Sequence, residues 1–304
     1  KKKVLDRYGP IFDRDIISNY SCKLASIINC IDKSNGVVFI YTNYINSGII
    51  PLQFLLEQNG YSKHTGEPSL KLPAYAKPEL ISFDGLKRSQ VSDRFQPARY
   101  MVIDGSTSKK ILQHQLGIIN SKDNMNGEKI KIVLGTVVAS EGLDFKRIRS
   151  VHILDPWPHL NRIEQTVGRA IRFCSHADLP ENQRNVLIYL HVSILPNNHE
   201  TVDTSIYRYA EKKSMRIGIV ENILKRNAID RYLFRDVNVI RKGDIHMITM
   251  KPCISDSIII NVNPSDKSYS KVCSYLQDCD YNKDLESLDD SIELNDDTFV
   301  DIYS

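Results

Sequence analysis

Residues 151–172, VHILDPWPHLNRIEQTVGRAIR, decide the fold class, because within a single turn they change from the pattern of a strand to that of a helix. The apolar run Val151–Leu154 predicts a buried strand, and the apolar spacing over residues 161–173 predicts an amphipathic helix. Asn161 suits the N-cap, and Glu164 follows it at the spacing of a capping box. A strand that leads directly into a helix is the unit from which parallel sheets are built.

The same alternation extends along the chain in both directions. Short apolar runs predict further strands at residues 36–41, 100–103, 130–134 and 186–194, and helical spacing predicts helices at 45–58, 108–120 and about 202–234. Gly60 is placed to end the helix at 45–58. We therefore predict an α/β fold of three layers, with a mainly parallel sheet covered by helices on both faces.

The charge of the chain is divided unevenly along its length. The net charge of +3 is the sum of −9 from Asp278 onward and +12 over the other 277 residues. A basic body suits a protein that binds polyanions, but a soluble protein with a solvated acidic end would look the same. No apolar run reaches the roughly 20 residues of a membrane span. The six cysteines form no C-x-x-C pair, which argues against zinc and for unpaired thiols in a reducing compartment.

A polar face is predicted on the helix at residues 161–173. Gln165, Arg169 and Arg172 stand at i, i+4 and i+7, so a continuous helix would bring them to one side. Gly168 costs such a helix about 1 kcal/mol relative to Ala. Two permanently charged guanidiniums suit an anion with several oxygens, such as a phosphate chain. A solvated face with structural ion pairs is the alternative.

A second candidate segment follows the strand at residues 130–134. Gly135 and Thr136 leave this strand and lead into residues 140–145, Ser-Glu-Gly-Leu-Asp-Phe. Ligands of parallel sheets bind at the carboxyl ends of the strands, where small residues let backbone N–H groups approach phosphates. A plain connecting loop is the alternative interpretation.

Together these segments resemble a known family. Thr136 with Glu141, Gly142 and Asp144, followed by Gln165-x-x-Gly168-Arg169-x-x-Arg172, is similar to motifs V and VI of superfamily 2 helicases and Swi/Snf-type translocases. Val38–Thr42 resembles motif IV, Ile103–Thr107 the Asp-Gly-Ser/Thr strand end between motifs IV and V, and Leu154–Pro158 the Asp-x-x-Trp-x-Pro region of translocases. The combination looks most like helicases of large DNA viruses related to poxvirus nucleoside triphosphatase I and the early-transcription-factor small subunit. The resemblance covers about residues 36–235 and implies a RecA-like fold.

The resemblance also implies roles for single residues. Arg172 matches the arginine finger that reaches the nucleotide across a cleft, Arg169 its partner toward the γ-phosphate, and Gln165 a polar residue that couples the nucleotide to the cleft. Glu141, Gly142 and Asp144 match the positions of motif V that sense the nucleotide. The positions matching contacts to nucleic-acid phosphates are Gly135, Thr136, Thr42, Asn43 and Thr107.

Two motifs of the family are missing from this sequence. It contains no G-x-x-x-x-G-K-[S/T] and no adjacent Asp-Glu, which the first RecA-like domain of the family supplies. We therefore expect ATP with Mg²⁺ to be held mainly by an N-terminal RecA-like domain outside this sequence. The sequence also lacks an initiator Met. The chain would then be the second motor domain of a helicase or translocase, inactive alone, with DNA or RNA and transcription machinery as partners and no membrane. The alternatives are a non-catalytic nucleic-acid-binding or transcription scaffold, and an unrelated flavodoxin-like domain whose arginines bind another anion.

The expected domain organisation follows from these assignments. We predict a helical lead-in at residues 1–35, a RecA-like domain at 36–195 with a basic, largely irregular insert at 61–99, a helical extension at 196–250, and a C-terminal extension with the acidic tail at 251–304. We expect an intracellular, reducing location, either the viral factory in the host cytoplasm or the virion.

Overall fold

A parallel sheet of six strands forms the centre of the first of two units into which the chain divides, Lys1–Ala210 and Glu211–Ser304. The computed structural model describes residues 9–73, 76–91, 95–137, 143–172, 174–231, 248–250, 260–262 and 267–277. The strands are β1 (Val37–Tyr41), β2 (Ser62–Lys63), β3 (Arg99–Ile103), β4 (Ile132–Gly135), β5 (Ile148–Ile153) and β6 (Leu187–Leu190), and they lie in the order β2-β3-β4-β1-β5-β6. Every neighbouring pair is parallel, as predicted.

Helices lie before, between and after these strands. They are α1 (Cys22–Asp32), α2 (Ile50–Gln58), α3 (Lys109–Ile119), α4 (Leu160–Ala170) and α5 (Val202–Asn227), and a π-helical turn at Ile45–Ile49 precedes α2. Ser21 and Ser108 cap α1 and α3 by accepting hydrogen bonds from the N–H groups of Leu24 and Ile111. No helix among the described residues is long and apolar enough to cross a membrane.

Alternate residues of β1 enter two separate hydrophobic clusters, one on each face of the sheet. Val38 and Ile40 pack with residues of α1 and α2, whereas Val37, Phe39 and Tyr41 pack with residues of α3 and α4. All five side chains are at most 2% exposed. Burial on both faces explains why this strand is a continuous apolar run rather than an alternating one, and it confirms the three-layer prediction.

The segment at residues 61–99 is more closely integrated than the predicted irregular insert. Its first residues form β2, an edge strand that pairs with β3, and isolated antiparallel bridges join Ile81 to Lys87 and Ser82 to Pro97. The buried Glu57 at the end of α2 accepts hydrogen bonds from the backbone N–H groups of Ser69 and Leu70, at 2.8 and 2.5 Å. Gly60 has a φ of +87°, as expected for the residue after a helix end.

The helix that carries the predicted arginines is shorter than expected. It begins after His159 rather than Asn161 and ends at Ala170, so Arg172 lies two residues beyond its last turn. The predicted common face of Gln165, Arg169 and Arg172 is therefore wrong for Arg172. Only the first two residues share a helical face.

The second unit contains the C-terminal part of α5, a 3-10 turn at Ile229–Arg231, and an antiparallel pair, β7 (Ile248–Met250) and β8 (Ile260–Val262). Cys22, Cys30 and Cys174 of the first unit are free, whereas Cys273 of the second is disulfide-bonded, which corrects the expectation that all thiols are unpaired. The predicted acidic tail from Asp278 onward lies outside the described residues.

Candidate functional site

The carboxyl ends of the central strands lie in one row. Tyr41 at the end of β1 is paired with Gly135 of β4 and Ile153 of β5, and Gly135 is also paired with Ile103 of β3. The residues that follow these ends form what we call the strand-end rim, and they are Asp104, Thr136, Thr42 and Leu154. The topology thus brings together strand ends that are far apart in the sequence.

Thr42 is fully enclosed at this rim. Its side chain is 0% exposed, and its hydroxyl donates a hydrogen bond of 2.5 Å to the Asp155 carboxylate, which also accepts from the Asn43 N–H at 3.1 Å. A Cβ added at Gly48 would collide with the Thr42 side chain, so the glycine is needed for this packing. In this structure the Thr42 side chain offers no surface to a phosphate.

Asn43 presents a different environment. Its Oδ1 accepts a hydrogen bond of 2.9 Å from the Tyr41 hydroxyl, whereas its Nδ2 has no partner among the described residues. An amide nitrogen in this position is a donor that remains to be satisfied. The nitrogen is buried, so in this structure it is not open to a phosphate.

The other predicted contacts lie at the ends of β3 and β4. The Thr107 hydroxyl and the Ser106 N–H both bond to the Asp104 carboxylate, so the Asp-Gly-Ser/Thr segment forms a tight turn at the rim. Thr136 is 6% exposed, and its N–H donates to the Ile103 carbonyl at 3.1 Å. Gly135 is buried within β4. The predicted Glu141 and Gly142 lie outside the described residues.

The surface of α4 carries Gln165 and Arg169. Gln165 is exposed and Arg169 is half-buried. A Cβ built at Gly168 would meet no atom within 4 Å among the described residues. Packing among the described residues therefore gives no steric reason for a glycine at this position.

Arg172 is held by a short loop after α4. The Phe145 N–H donates to the Arg169 carbonyl at 3.3 Å, which occupies an acceptor in the last turn. The Ser175 hydroxyl accepts from the Arg172 N–H at 3.2 Å and donates to the Ala170 carbonyl at 3.4 Å. This loop sets the position of Arg172, and no feature of the sequence had indicated Ser175.

Asp144 forms an ion pair with Arg172. Its Oδ1 lies 3.3 Å from the Arg172 Nε, and the two side chains are 58% and 40% exposed. An exposed pair of this kind contributes well under about 1 kcal/mol to folding, so it orients the guanidinium more than it stabilises the unit. No described residue forms a hydrogen bond with the two terminal nitrogens of the Arg172 guanidinium.

Asn120, at the end of α3, fixes the segment around Asp144. Its Nδ2 donates to the Asp144 carbonyl at 2.8 Å, and its Oδ1 accepts from the Lys146 N–H at 2.8 Å. The nitrogen and the oxygen of one amide side chain therefore both bind the backbone of this segment, and the two hydrogen bonds restrain residues 144–146. Sequence reasoning placed Asn120 only at a helix end.

Arg147 joins this segment to the loop after Arg172. Its side chain is 2% exposed and donates to the Asn120 carbonyl at 2.6 Å and to the Asp178 carboxylate at 2.8 Å, and its N–H donates to the Ser175 carbonyl at 3.0 Å. The hydrogen bond from Arg147 lowers the pKa of the Asp178 carboxyl. Asp144 and Arg172 therefore lie on two segments that are tied to each other by a buried arginine.

A buried histidine pair lies on β5 and just beyond β6. His152 Nδ1 and His191 Nε2 are 3.0 Å apart, and the side chains are 0% and 6% exposed. Burial lowers the pKa of His152 to about 3, and burial together with the nearby Lys23 ammonium lowers that of His191 to about 4. Both imidazoles are neutral at pH 7 and buried, and His152 Nε2 has no partner among the described residues. No group of residues suited to a metal ion occurs in the described part of the chain.

Comparisons with known proteins place the sequence among helicase-related proteins. The model of the family described as helicase conserved C-terminal domain matches residues 82–174. A protein of Acanthamoeba polyphaga mimivirus named "Putative ATP-dependent RNA helicase" is 31% identical over 79% of this chain and 38% of its own length. An early transcription factor large subunit homolog of African swine fever virus is 30% identical over 70% of this chain and 18% of its own. A protein of Invertebrate iridescent virus 3 named as a helicase is 32% identical over 75% and 22%.

The chain spans less than two fifths of the length of these relatives. The C-terminal part of the Fun30 ATPase domain is a solved structure with a TM-score of 0.42 and 15% identity, covering 64% of this chain and 46% of that one. The relatives from African swine fever virus carry the name of the large subunit, whereas the resemblance stated above is to the small subunit. The chain carries a helicase conserved C-terminal domain, and its viral relatives include proteins named as putative helicases and as early transcription factor large subunit homologs.

Proposed function

We propose that this chain is the second motor domain of a nucleic-acid-dependent ATPase that acts in viral transcription, and that Arg172 is its arginine finger. The observation that carries the proposal is the state of the Arg172 side chain, which is 40% exposed and held through Nε by an exposed carboxylate. Its two terminal nitrogens remain available to an anion. A guanidinium donates from several nitrogens in one plane, which fits the oxygens of a phosphate chain.

The neighbouring residues fit a nucleotide that approaches from outside the unit. Gln165 is exposed, and Arg169 lies one helical turn further along the same face. Gly168 lies between these two residues in the sequence, and the space beside it is free of described atoms. When bound, ATP with Mg²⁺ supplies the phosphoryl group whose transfer to water drives the motor. In the proposal Arg172 offsets negative charge on that group, Arg169 contacts the phosphate chain, and Gln165 and Asp144 position them.

The chain represents 18–38% of the length of the three relatives described above, so most of such a protein lies in other segments. An N-terminal RecA-like domain would hold the nucleotide and the metal. Closure of that domain onto α4 would bring Arg172 to the phosphates, and opening would withdraw it.

The strand-end rim is the proposed track for DNA or RNA. Asn43 follows β1 at this rim, and the turn at Asp104–Thr107 and the end of β4 at Gly135–Thr136 lie beside it in the sheet. The net charge of +12 before residue 278 would favour a polyanion. Thr42 is omitted from this track because it is enclosed.

The test is nucleic-acid-stimulated ATP hydrolysis by the full-length protein, with Arg172→Ala and Arg172→Lys. Loss of a finger arginine removes charge stabilisation from the transition state, so we expect kcat to fall about 10³-fold with little change in nucleic-acid affinity. Lys should not rescue the activity, since it cannot donate in a planar fork. Arg208→Ala is the matched control, because Arg208 is 58% exposed and its ion pair is with Glu200.

Two outcomes would count against the proposal. Wild-type ATP hydrolysis by Arg172→Ala would remove the finger assignment. Binding of nucleic acid without any stimulated ATP hydrolysis by the full-length protein would favour a transcription scaffold that keeps the fold without the motor, in line with the naming of the African swine fever virus relatives.

A further inference from the structure

His176 lies in the loop after α4, and both of its ring nitrogens are within hydrogen-bond distance of a partner. The Nδ1 atom is 2.8 Å from the Ser175 hydroxyl oxygen, and the Nε2 atom is 2.7 Å from the carbonyl oxygen of Ile148. Ile148 is the first residue of β5 and is fully buried. The half-buried ring therefore connects the loop that follows Arg172 to a strand inside the sheet.

The Ile148 carbonyl determines which nitrogen of His176 carries a hydrogen. A carbonyl oxygen only accepts hydrogen bonds, so Nε2 must carry a hydrogen and donate it. In a neutral imidazole Nδ1 is then an acceptor, and the Ser175 hydroxyl is its donor. The single hydroxyl hydrogen is directed mainly to Nδ1 at 2.8 Å, because its other acceptor, the Ala170 carbonyl, is 3.4 Å away. His176 therefore sets the direction of the Ser175 hydroxyl.

Ser175 in turn holds the main chain of Arg172. The Ser175 hydroxyl oxygen accepts from the Arg172 N–H at 3.2 Å, and the Ser175 N–H donates to the Arg172 carbonyl at 3.0 Å. The Ser175 carbonyl accepts from the Arg147 N–H at 3.0 Å. Two consecutive residues at the start of β5, Arg147 and Ile148, thus anchor two consecutive residues of the loop, and this anchorage leads directly to Arg172.

We propose that His176 is a positioning residue for Arg172, which acts through Ser175 and does not itself touch the nucleotide. The inference rests on the proposed function, because it requires Arg172 to be the arginine finger. The ion pair with Asp144 is exposed and weak, so the anchorage at Ser175 must set the position from which the guanidinium extends. A displacement of about 1 Å in a catalytic group can lower a rate about 100-fold, so the direction of one hydroxyl matters at this place.

The test measures nucleic-acid-stimulated ATP hydrolysis by the full-length protein with His176→Leu and with Ser175→Ala. Leucine removes both hydrogen bonds of the ring, and alanine removes the hydroxyl alone. We expect each variant to lower kcat about 10- to 100-fold with little change in the KM for ATP, because in the proposed function the nucleotide is held mainly by another domain. His199→Leu is the matched control, because His199 is exposed and follows the 3-10 turn at Pro196–Asn198, and it should keep the wild-type kcat.

Two double variants separate positioning from a general loss of structure. If His176 acts through Ser175, the double variant of Ser175→Ala with His176→Leu should have the kcat of the slower single variant. If the effect reaches the reaction only through Arg172, His176→Leu should not lower the kcat of Arg172→Ala any further. A merely structural role would lower kcat by the same factor in both backgrounds. All rates are measured well below the melting temperature of every variant, so that the folded fraction is equal.

The outcomes distinguish this inference from the proposed function. A wild-type kcat in His176→Leu, beside a slow Arg172→Ala, would overturn the positioning role and leave the proposed function intact. An equal fall with and without Arg172 would also overturn it, as would effects of Ser175→Ala and His176→Leu that multiply in the double variant. Wild-type hydrolysis by Arg172→Ala would overturn the proposed function, and the positioning role would fall with it.

Discussion

Gly168→Ala should stabilise this chain and at the same time impair the motor to which we assign it. A methyl group added at Gly168 meets no atom within 4 Å among the described residues, so it creates no clash within them. Alanine is favoured over glycine in a helix by about 1 kcal/mol, and by somewhat less in the last turn. We therefore expect the free energy of unfolding to rise by about 0.5–1 kcal/mol.

The chain provides a close control for this substitution. α3 and α4 both contain 11 residues, and each has a glycine at its ninth position, Gly117 and Gly168. A Cβ at Gly117 also meets no described atom within 4 Å. Gly117→Ala should therefore raise the stability by the same amount, which corresponds to about 1–4 °C in melting temperature for a unit of this size.

The two variants should differ in ATP hydrolysis by the full-length protein. If α4 closes against a nucleotide-bearing domain, a methyl group at Gly168 stands in that interface, whereas one at Gly117 does not. We expect Gly168→Ala to lower nucleic-acid-stimulated kcat about tenfold or more, because a displacement of about 1 Å in a catalytic group can cost about 100-fold. Calorimetry and steady-state hydrolysis provide the two readouts.

Two results would refute this reasoning. A lower melting temperature for Gly168→Ala would show that the glycine is needed within the unit. Equal hydrolysis rates for the two alanine variants would show that nothing closes on this face of α4.

Two further predictions concern stability alone. His152 and His191 have folded-state pKa values of about 3 and 4, below the roughly 6.5 of an unfolded chain, so unfolding takes up protons below pH 6.5 and stability is lost as the pH falls from there toward 4. Urea unfolding should show a loss of about 3 kcal/mol between pH 7.5 and 5.5, about half of it absent in His152→Phe, and a flat profile would contradict the assignment. Gly48→Ala should destabilise the chain by about 2 kcal/mol, because the new methyl group overlaps the enclosed Thr42 side chain, and an unchanged urea midpoint would show that this packing is not tight.

The strands that could be predicted from the sequence are those buried on both faces. The apolar residues of β1, β3, β4 and β5 enter one of two hydrophobic clusters, and that burial is itself the sequence signal. β2 consists of Ser62 and Lys63 at the edge of the sheet, where burial is incomplete, so it leaves no apolar run to detect. Its place is set by pairing with Arg99 and Tyr100, which the local sequence does not encode.

The candidate site was predictable in its residue types but not in its geometry. Composition and spacing indicated Gln165, Arg169 and Arg172, but the end of α4 depends on hydrogen bonds from Phe145 and Ser175, which lie outside the helix. Helical propensity favours continuation through residues 171 and 172, and these contacts override it. Similarly, Thr42 was a reasonable phosphate ligand by its position, and Asp155 encloses it through a contact that spans 113 residues of sequence.

The placement of Arg172 in a loop has a consequence for the proposed mechanism. An arginine on the helix face would move only with α4, whereas Arg172 is retained by backbone hydrogen bonds to Ser175 and by one exposed ion pair. The ion pair with Asp144 is weak in water, so a phosphate chain, which carries more charge than one carboxylate, can displace it at small cost. The backbone bonds to Ser175, supported by the buried Arg147, keep the start of the side chain fixed during that exchange. On the proposed function, the guanidinium therefore moves between Asp144 and the nucleotide while its main chain stays in place, and the change in partner requires no rearrangement of the sheet or of α4.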